Sequence, residues 1–165
     1  MEITIRETQP SEAEKLIEIQ RAAFLPLYEK YHDPANPCLR GVDDILIRLN
    51  ENYRHFTILA DGVTVGAIFY RVHGKWFPDT FLEEGEYYLG RLYIHPDYQG
   101  KGIAPKAIGL AEKEFLDVKR FFVDFPIDME KNRRCYEKAG YRDMNLTLKA
   151  DESLTLTYYK KEITT

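Results

Sequence analysis

The stretch HPDYQGKGIAPKAIGLAEKEF, residues 95–115, joins a strand-like run to a helix through two glycines. Upstream, EYYLGRLYIH is rich in aromatic and β-branched residues and is stopped by Pro96, as a strand would be. Downstream, Ile103, Ala107, Ile108, Ala111 and Phe115 recur at helical spacing, which predicts a helix from Gly102 to about Leu116. Gly100 and Gly102 allow positive φ and let the backbone approach a ligand closely. A helix N-terminus exposes N–H groups without partners and carries roughly half a positive charge. Gln99, Gly100, Lys101, Gly102, Ile103 and Ala104 therefore form a candidate nest of donors for a phosphate-like anion. Pro105 falls in the first helical turn, where its missing N–H does no harm.

The two standard phosphate strings fail here. G-x-x-x-x-G-K-[ST] is absent, and G-x-G-x-x-G would need a glycine at Pro105. Taken alone, the turn is as well read as an ordinary strand-to-helix connection.

Working outward, EITIRE alternates Ile3 and Ile5 with polar residues and predicts a strand. Ser11 and Glu14 suggest a capping box opening a helix with Ala13, Leu16, Ile17, Ala23 and Phe24 on one face. Residues 24–41 hold Pro26, Pro34 and Pro37, so no long helix is expected there. A second helix is predicted from Asp43 to Asn52, with Ile45, Leu46 and Leu49 inward. Asp61-Gly62 between two β-rich runs marks a hairpin. RFFVDFP reads as a strand, Met129 to Ala139 as a helix stopped by Gly140, and the remainder as two strands joined near Ala150 to Ser153. The resulting order, β-α-α-β-β-β-α-β-α-β-β, predicts an α/β or α+β sheet with helices on its faces, and the unit around residues 87–125 predicts a parallel crossover.

At this point the chain resembles the GNAT superfamily of acyl-CoA-dependent N-acyltransferases. Gln99, Gly102 and Ala104 match the Q/R-x-x-G-x-G/A signature at a strand-to-helix turn. Downstream, CYEKAGYR matches a second motif through Tyr136, Glu137, Lys138, Gly140 and Tyr141. Spacing and element order agree over nearly the whole chain. The resemblance implies one domain over residues 1–165, with a mixed, mostly antiparallel sheet of about seven strands and helices on both faces. It implies acetyl-CoA as co-substrate and a primary amine, on a small molecule or peptide, as acceptor. It further implies that the CoA diphosphate lies on the amides of Gln99 to Ala104 and that pantetheine pairs along Leu92, Tyr93 and Ile94. The Leu92 N–H would polarise the thioester carbonyl, an oxyanion contact typically worth ~3 kcal/mol in rate. Tyr136 would be the general acid near the sulfur. Where the family often has an asparagine seven residues before that tyrosine, this chain has Met129; Asn132, one turn before Tyr136, takes its place. A non-catalytic acyl-CoA sensor is the alternative from another class.

The base is the least marked role. Deprotonating a lysine-like amine at neutral pH costs ~4–5 kcal/mol. Strict alternation would put Glu86, Tyr88, Gly90 and Leu92 on one strand face, making Glu86 the nearest candidate carboxylate. Cys135 adjoins Tyr136 but has no neighbour in sequence that would activate it. Trp76, Phe77 and Phe81 beside Asp79, Glu83 and Glu84 suggest either a wall for an organic cation or plain core packing.

Composition sets the outer bounds. The 165 residues are enough for one proper core, and a formal charge of −4 gives no drive toward nucleic acid or an anionic membrane. Cys38 and Cys135 are too few for a disulfide framework and, with no basic-then-apolar leader, point to the cytoplasm. His32, His55, His73 and His95 have no metal-ligand spacing, so no metal is expected. The last strand, LTLTYYKKE, reads as an exposed edge that could pair with a second copy.

Overall fold

A computed structural model describes residues 1–163; the last two residues of the expected 1–165 domain lie outside the described residues. Strand β1 (Ile3–Glu7) leads through a 3-10 turn into helix α1 (Ala13–Tyr31) and, after a loop, helix α2 (Asp43–Leu46). Strands β2 (Tyr53–Ala60) and β3 (Val63–Arg71) form the hairpin expected at Asp61-Gly62, and a small hairpin follows, β4 (Lys75–Phe77) and β5 (Thr80–Phe81). Strand β6 (Glu86–Ile94), helix α3 (Ile103–Glu112) and strand β7 (Arg120–Pro126) make the crossover. Helix α4 (Glu130–Lys138) and strands β8 (Arg142–Asp151) and β9 (Leu154–Glu162) follow.

Seven strands form one sheet in the order β1-β2-β3-β6-β7-β9-β8. Only β6 and β7 run parallel; the other neighbours are antiparallel. Each face buries its own apolar cluster. Ile103, Ala107, Ile108 and Ala111 of α3 and Tyr136 of α4 pack on one face against Phe56, Ile68 and Phe121. Leu16, Ile17 and Ile19 of α1 and Ile45 of α2 pack on the other against Ala67 and Tyr93. This is the mixed, mostly antiparallel fold with helices on both faces. Among the described residues no helix is long and apolar enough to cross a membrane.

Several sequence expectations are corrected. The helix signal at Ser11 and Glu14 is out of frame: Glu12 Oε2 accepts from the Gln9 N–H at 2.7 Å, and Ser11 lies in the 3-10 turn. Helix α1 continues through Pro26 to Tyr31. Pro26 sits on the exposed side, and docking of the helix against the sheet outweighs its one missing hydrogen bond. Helix α2 ends at Leu46, which is left exposed, as the chain turns toward β2. Strand β9 is not an edge: it lies between β7 and β8, and β8 takes the edge position. Lys161 there pairs with Glu112 at 2.7 Å.

Candidate active site

The parallel pairing of β6 and β7 is short. It runs from Glu86↔Arg120 to Leu89↔Val123 and then stops, although both strands continue. Gly90 and Asp124 are thus the first residues past a split in the middle of the sheet. The cause lies partly in β6. Phe69 pairs with Arg91 and Tyr70 with Leu89, so Gly90 is an extra, bulged residue. Glycine is required there, because a Cβ would stand 2.4 Å from the Phe69 ring.

The bulge overturns the alternation assumed from sequence. Leu89 and Leu92 face the α3 cluster, whereas Arg91 reaches Asp44 at 2.8 Å and Tyr93 packs under α1. Tyr88 also differs: its hydroxyl donates to Asp124 across the split. Tyr88 and Leu92 are therefore on opposite faces.

Backbone direction follows from one bond. The His95 N–H donates to Val65 O at 2.8 Å. Antiparallel alternation then turns the N–H groups of Arg91 and Tyr93 toward β3 and those of Leu92 and Ile94 into the split. Leu92 and Ile94 thus present donors to the opening, while Tyr93 does not; its side chain is buried against Phe24.

Beyond β6, the expected turn has the required conformation. Gly100 and Gly102 have φ of 75° and 78°, and a Cβ at either would meet nothing within 4 Å. The N–H groups of Gly100, Lys101, Gly102, Ile103 and Ala104 donate to no other described residue. Gln99 is turned inward instead. Its N–H approaches Pro96 O at 3.3 Å, and its side chain donates to Ile94 O at 2.8 Å, tying the turn to β6. Five amides therefore remain for an anion.

A cavity of about 380 Å³ passes through the split, within the range of small-molecule sites. Leu92, Asn132 and Tyr136 line it, so the structure brings these three expected residues together. The Tyr136 ring stacks on Phe125 with centroids 5.5 Å apart. Burial above all, with smaller effects from Cys135 and Asp124, pushes its phenol well above the ordinary value, so the proton stays on at neutral pH. Cys135 also moves up through burial and is no activated nucleophile.

Glu86 is elsewhere. It is buried at the start of β6, ion-paired to Arg120, and accepts from the Glu83 N–H at 2.8 Å. That carboxylate fixes the far end of the β6–β7 pair, so Glu86 is not placed to act as base. Glu86→Gln is expected to lower the melting temperature by about 3 °C while retaining turnover, measured by thermal denaturation beside a rate assay. Lost turnover at unchanged stability would return Glu86 to the chemistry.

The carboxylate at the split is Asp124, which the sequence reading does not single out. Burial pushes it up to about 6, against the lowering effect of the Tyr88 hydrogen bond. The available signal is a lone charge inside the apolar strand RFFVDFP. Phe125 packs toward α4 with Tyr136, so strand alternation puts Asp124 on the opposite face. The aromatic wall is also resolved for two residues. Trp76 stacks on Phe122 at 4.0 Å and Phe77 meets Tyr158 edge-on at 4.9 Å, so they pack the sheet; Phe81 is exposed.

Comparison with known proteins agrees with this fold. An acetyltransferase from Thermus thermophilus superposes with a TM-score of 0.73 at 21% identity, over 99% of this chain and 98% of that one. The microcin C7 self-immunity acetyltransferase MccE, solved with acetyl-CoA and AMP, gives 0.74 at 20% identity over 98% and 93%. An aminoglycoside acetyltransferase solved with coenzyme A gives 0.71 at 17% identity over 98% and 95%. No curated protein matches by sequence. The family model described as "Acetyltransferase (GNAT) family" matches residues 13–141, most of the chain. With that match over most of its length, the chain belongs to the acetyltransferase (GNAT) family and is an acyltransferase.

Proposed function

We propose that the protein transfers an acetyl group from acetyl-CoA to a primary amine by direct attack. The observation that carries this reading is a run of unpaired donors, the N–H groups of Leu92 and Ile94 facing the split and five free amides at residues 100–104, with Leu92 lining a cavity that Tyr136 and Asp124 also line. The diphosphate lies on the free amides, with Lys101 nearby, and pantetheine runs along Leu92 and Ile94 beside Asn132. The complexes of fold relatives solved with acetyl-CoA and with coenzyme A support that choice of co-substrate.

The chemistry then divides between the faces. The amine approaches from the α1 side and gives a proton to the Asp124 carboxylate. Its nitrogen attacks the thioester carbonyl, and the Leu92 N–H stabilises the resulting oxyanion. As the C–S bond breaks, Tyr136 protonates the leaving thiolate, and the second proton, shed by the nitrogen as the amide forms, restores the tyrosine phenol. The products are an N-acetyl amine and free CoA. Glu86 has no part in these steps. The two free cysteines fit a reducing compartment, consistent with a cytoplasmic enzyme.

Tyr136→Phe is expected to lower kcat at least about tenfold while leaving CoA affinity nearly intact. Thiol release from acetyl-CoA and calorimetric CoA binding measure the two. Unchanged turnover would remove Tyr136 from the mechanism. Acetyl-CoA binding without thiol release across a broad amine panel would overturn acyl transfer to amines.

A further inference from the structure

Tyr88 and Asp124 meet where the sheet splits. Tyr88 pairs with Phe122, and Asp124 lies two residues further along β7, on the same face as Phe122. The Tyr88 hydroxyl reaches along the strands and donates to Asp124 Oδ2. No other group among the described residues donates to either carboxylate oxygen, so Oδ1 is left free. Asp124 lines the cavity, and Tyr88 stands behind it, outside the lining. An aspartate otherwise turns about two side-chain torsions, and one bonded oxygen restrains both.

The proton of that bond belongs to the phenol. Burial first, then the Asp124 charge, pushes Tyr88 well above the ordinary value, so it donates and does not accept. Burial raises Asp124 to about 6, and the bond from Tyr88 opposes the rise. The other elements around Asp124 supply no substitute. Tyr158 faces it as its register partner on β9, and Tyr136 lies on α4; burial keeps both phenols neutral, and neither donates to it. Tyr31 of α1 donates to Asp128 instead. Arg91 of β6 is committed to Asp44 at 2.8 Å, while Asp33 and Asp151, which also line the cavity, are acids. Arg71 of β3 acts on Tyr88.

We propose that Tyr88 is a positioning residue for acyl transfer: its hydroxyl pins one oxygen of Asp124 at the split so that the other is aimed at the incoming amine. This rests on Asp124 acting as the base in the mechanism above. Tyr88 itself touches neither substrate nor cofactor, and its proton stays in place through the reaction.

Tyr88→Phe keeps the ring and removes only the hydroxyl. A hydrogen bond to the ionised form lowers a carboxyl pKa, so its loss raises it. The low-pH limb of kcat, read as thiol release from acetyl-CoA, is expected to move up by about one pH unit or more, the scale of one hydrogen bond to a charged group. KM for acetyl-CoA should not change. A phenol needed only for packing would lower the melting temperature, or lower kcat by one factor at every pH, and leave the limb in place. Should Tyr88→Phe fail to fold, 3-fluorotyrosine at position 88 replaces it. Its more acidic hydroxyl donates more strongly, so the limb is expected to move down. With the limb lost in Asp124→Asn, a limb unmoved by the change at Tyr88 overturns the positioning role and leaves acyl transfer standing. No thiol release by the wild type with any amine overturns acyl transfer, and a limb that survives in Asp124→Asn overturns the base; either takes the positioning role with it.

Discussion

Gly102→Glu is expected to raise the dissociation constant for acetyl-CoA at least about a hundredfold, the scale of losing one or two charge-assisted contacts. The backbone at 102 has φ of 78°, so any L side chain there costs about 1 kcal/mol. Nothing lies within 4 Å of the new Cβ, so the folded protein accommodates it. The glutamate carboxylate would then stand where the diphosphate binds, competing for the same amides and repelling its charge. Gly102→Ala carries the same strain without the charge, and its affinity should fall far less. Isothermal calorimetry on both variants separates strain from electrostatics. Retained affinity in Gly102→Glu would place the ligand elsewhere.

Asp124→Asn is expected to reduce kcat by about a hundredfold or more, with CoA affinity retained. The pH profile gives the stricter check. A base must be ionised to act, and burial pushes the Asp124 carboxyl up to about 6. Wild-type kcat should therefore hold above that pH and fall with unit slope below it. The asparagine variant cannot titrate there, so that limb should vanish from its residual rate. A low-pH limb that survives in Asp124→Asn would assign the ionisation to another group.

The order of elements and the glycine turn are legible in the sequence because they rest on local rules. Alternating apolar runs, a proline stop and glycines before a helical pattern all act within a few residues. Sequence alone cuts helix α1 short at Phe24 because Pro26 is a local signal, while the packing that carries the helix to Tyr31 comes from sheet residues far along the chain. The site is half legible. Leu92, Asn132 and Tyr136 are expected and meet in one cavity. Asp124 escapes notice because its role depends on where β6 and β7 part, and that point is fixed by the bulge at Gly90. Glu86 emerges only from counting alternate residues through the same bulge, where the count fails. A bulge of one residue moves every later side chain to the other face.

The central claim is that the amides at residues 100–104 grip the diphosphate while the thioester lies in the split. Amide proton–nitrogen spectra of the labelled protein, recorded as acetyl-CoA is added, address it most directly. The largest changes should fall on Gly100, Lys101 and Gly102, with Leu92 and Ile94 next, and Gln99 should move less because its N–H is turned inward. Unmoved amides at 100–104, with changes centred instead on the cavity near Gly85 and Glu114, would contradict it.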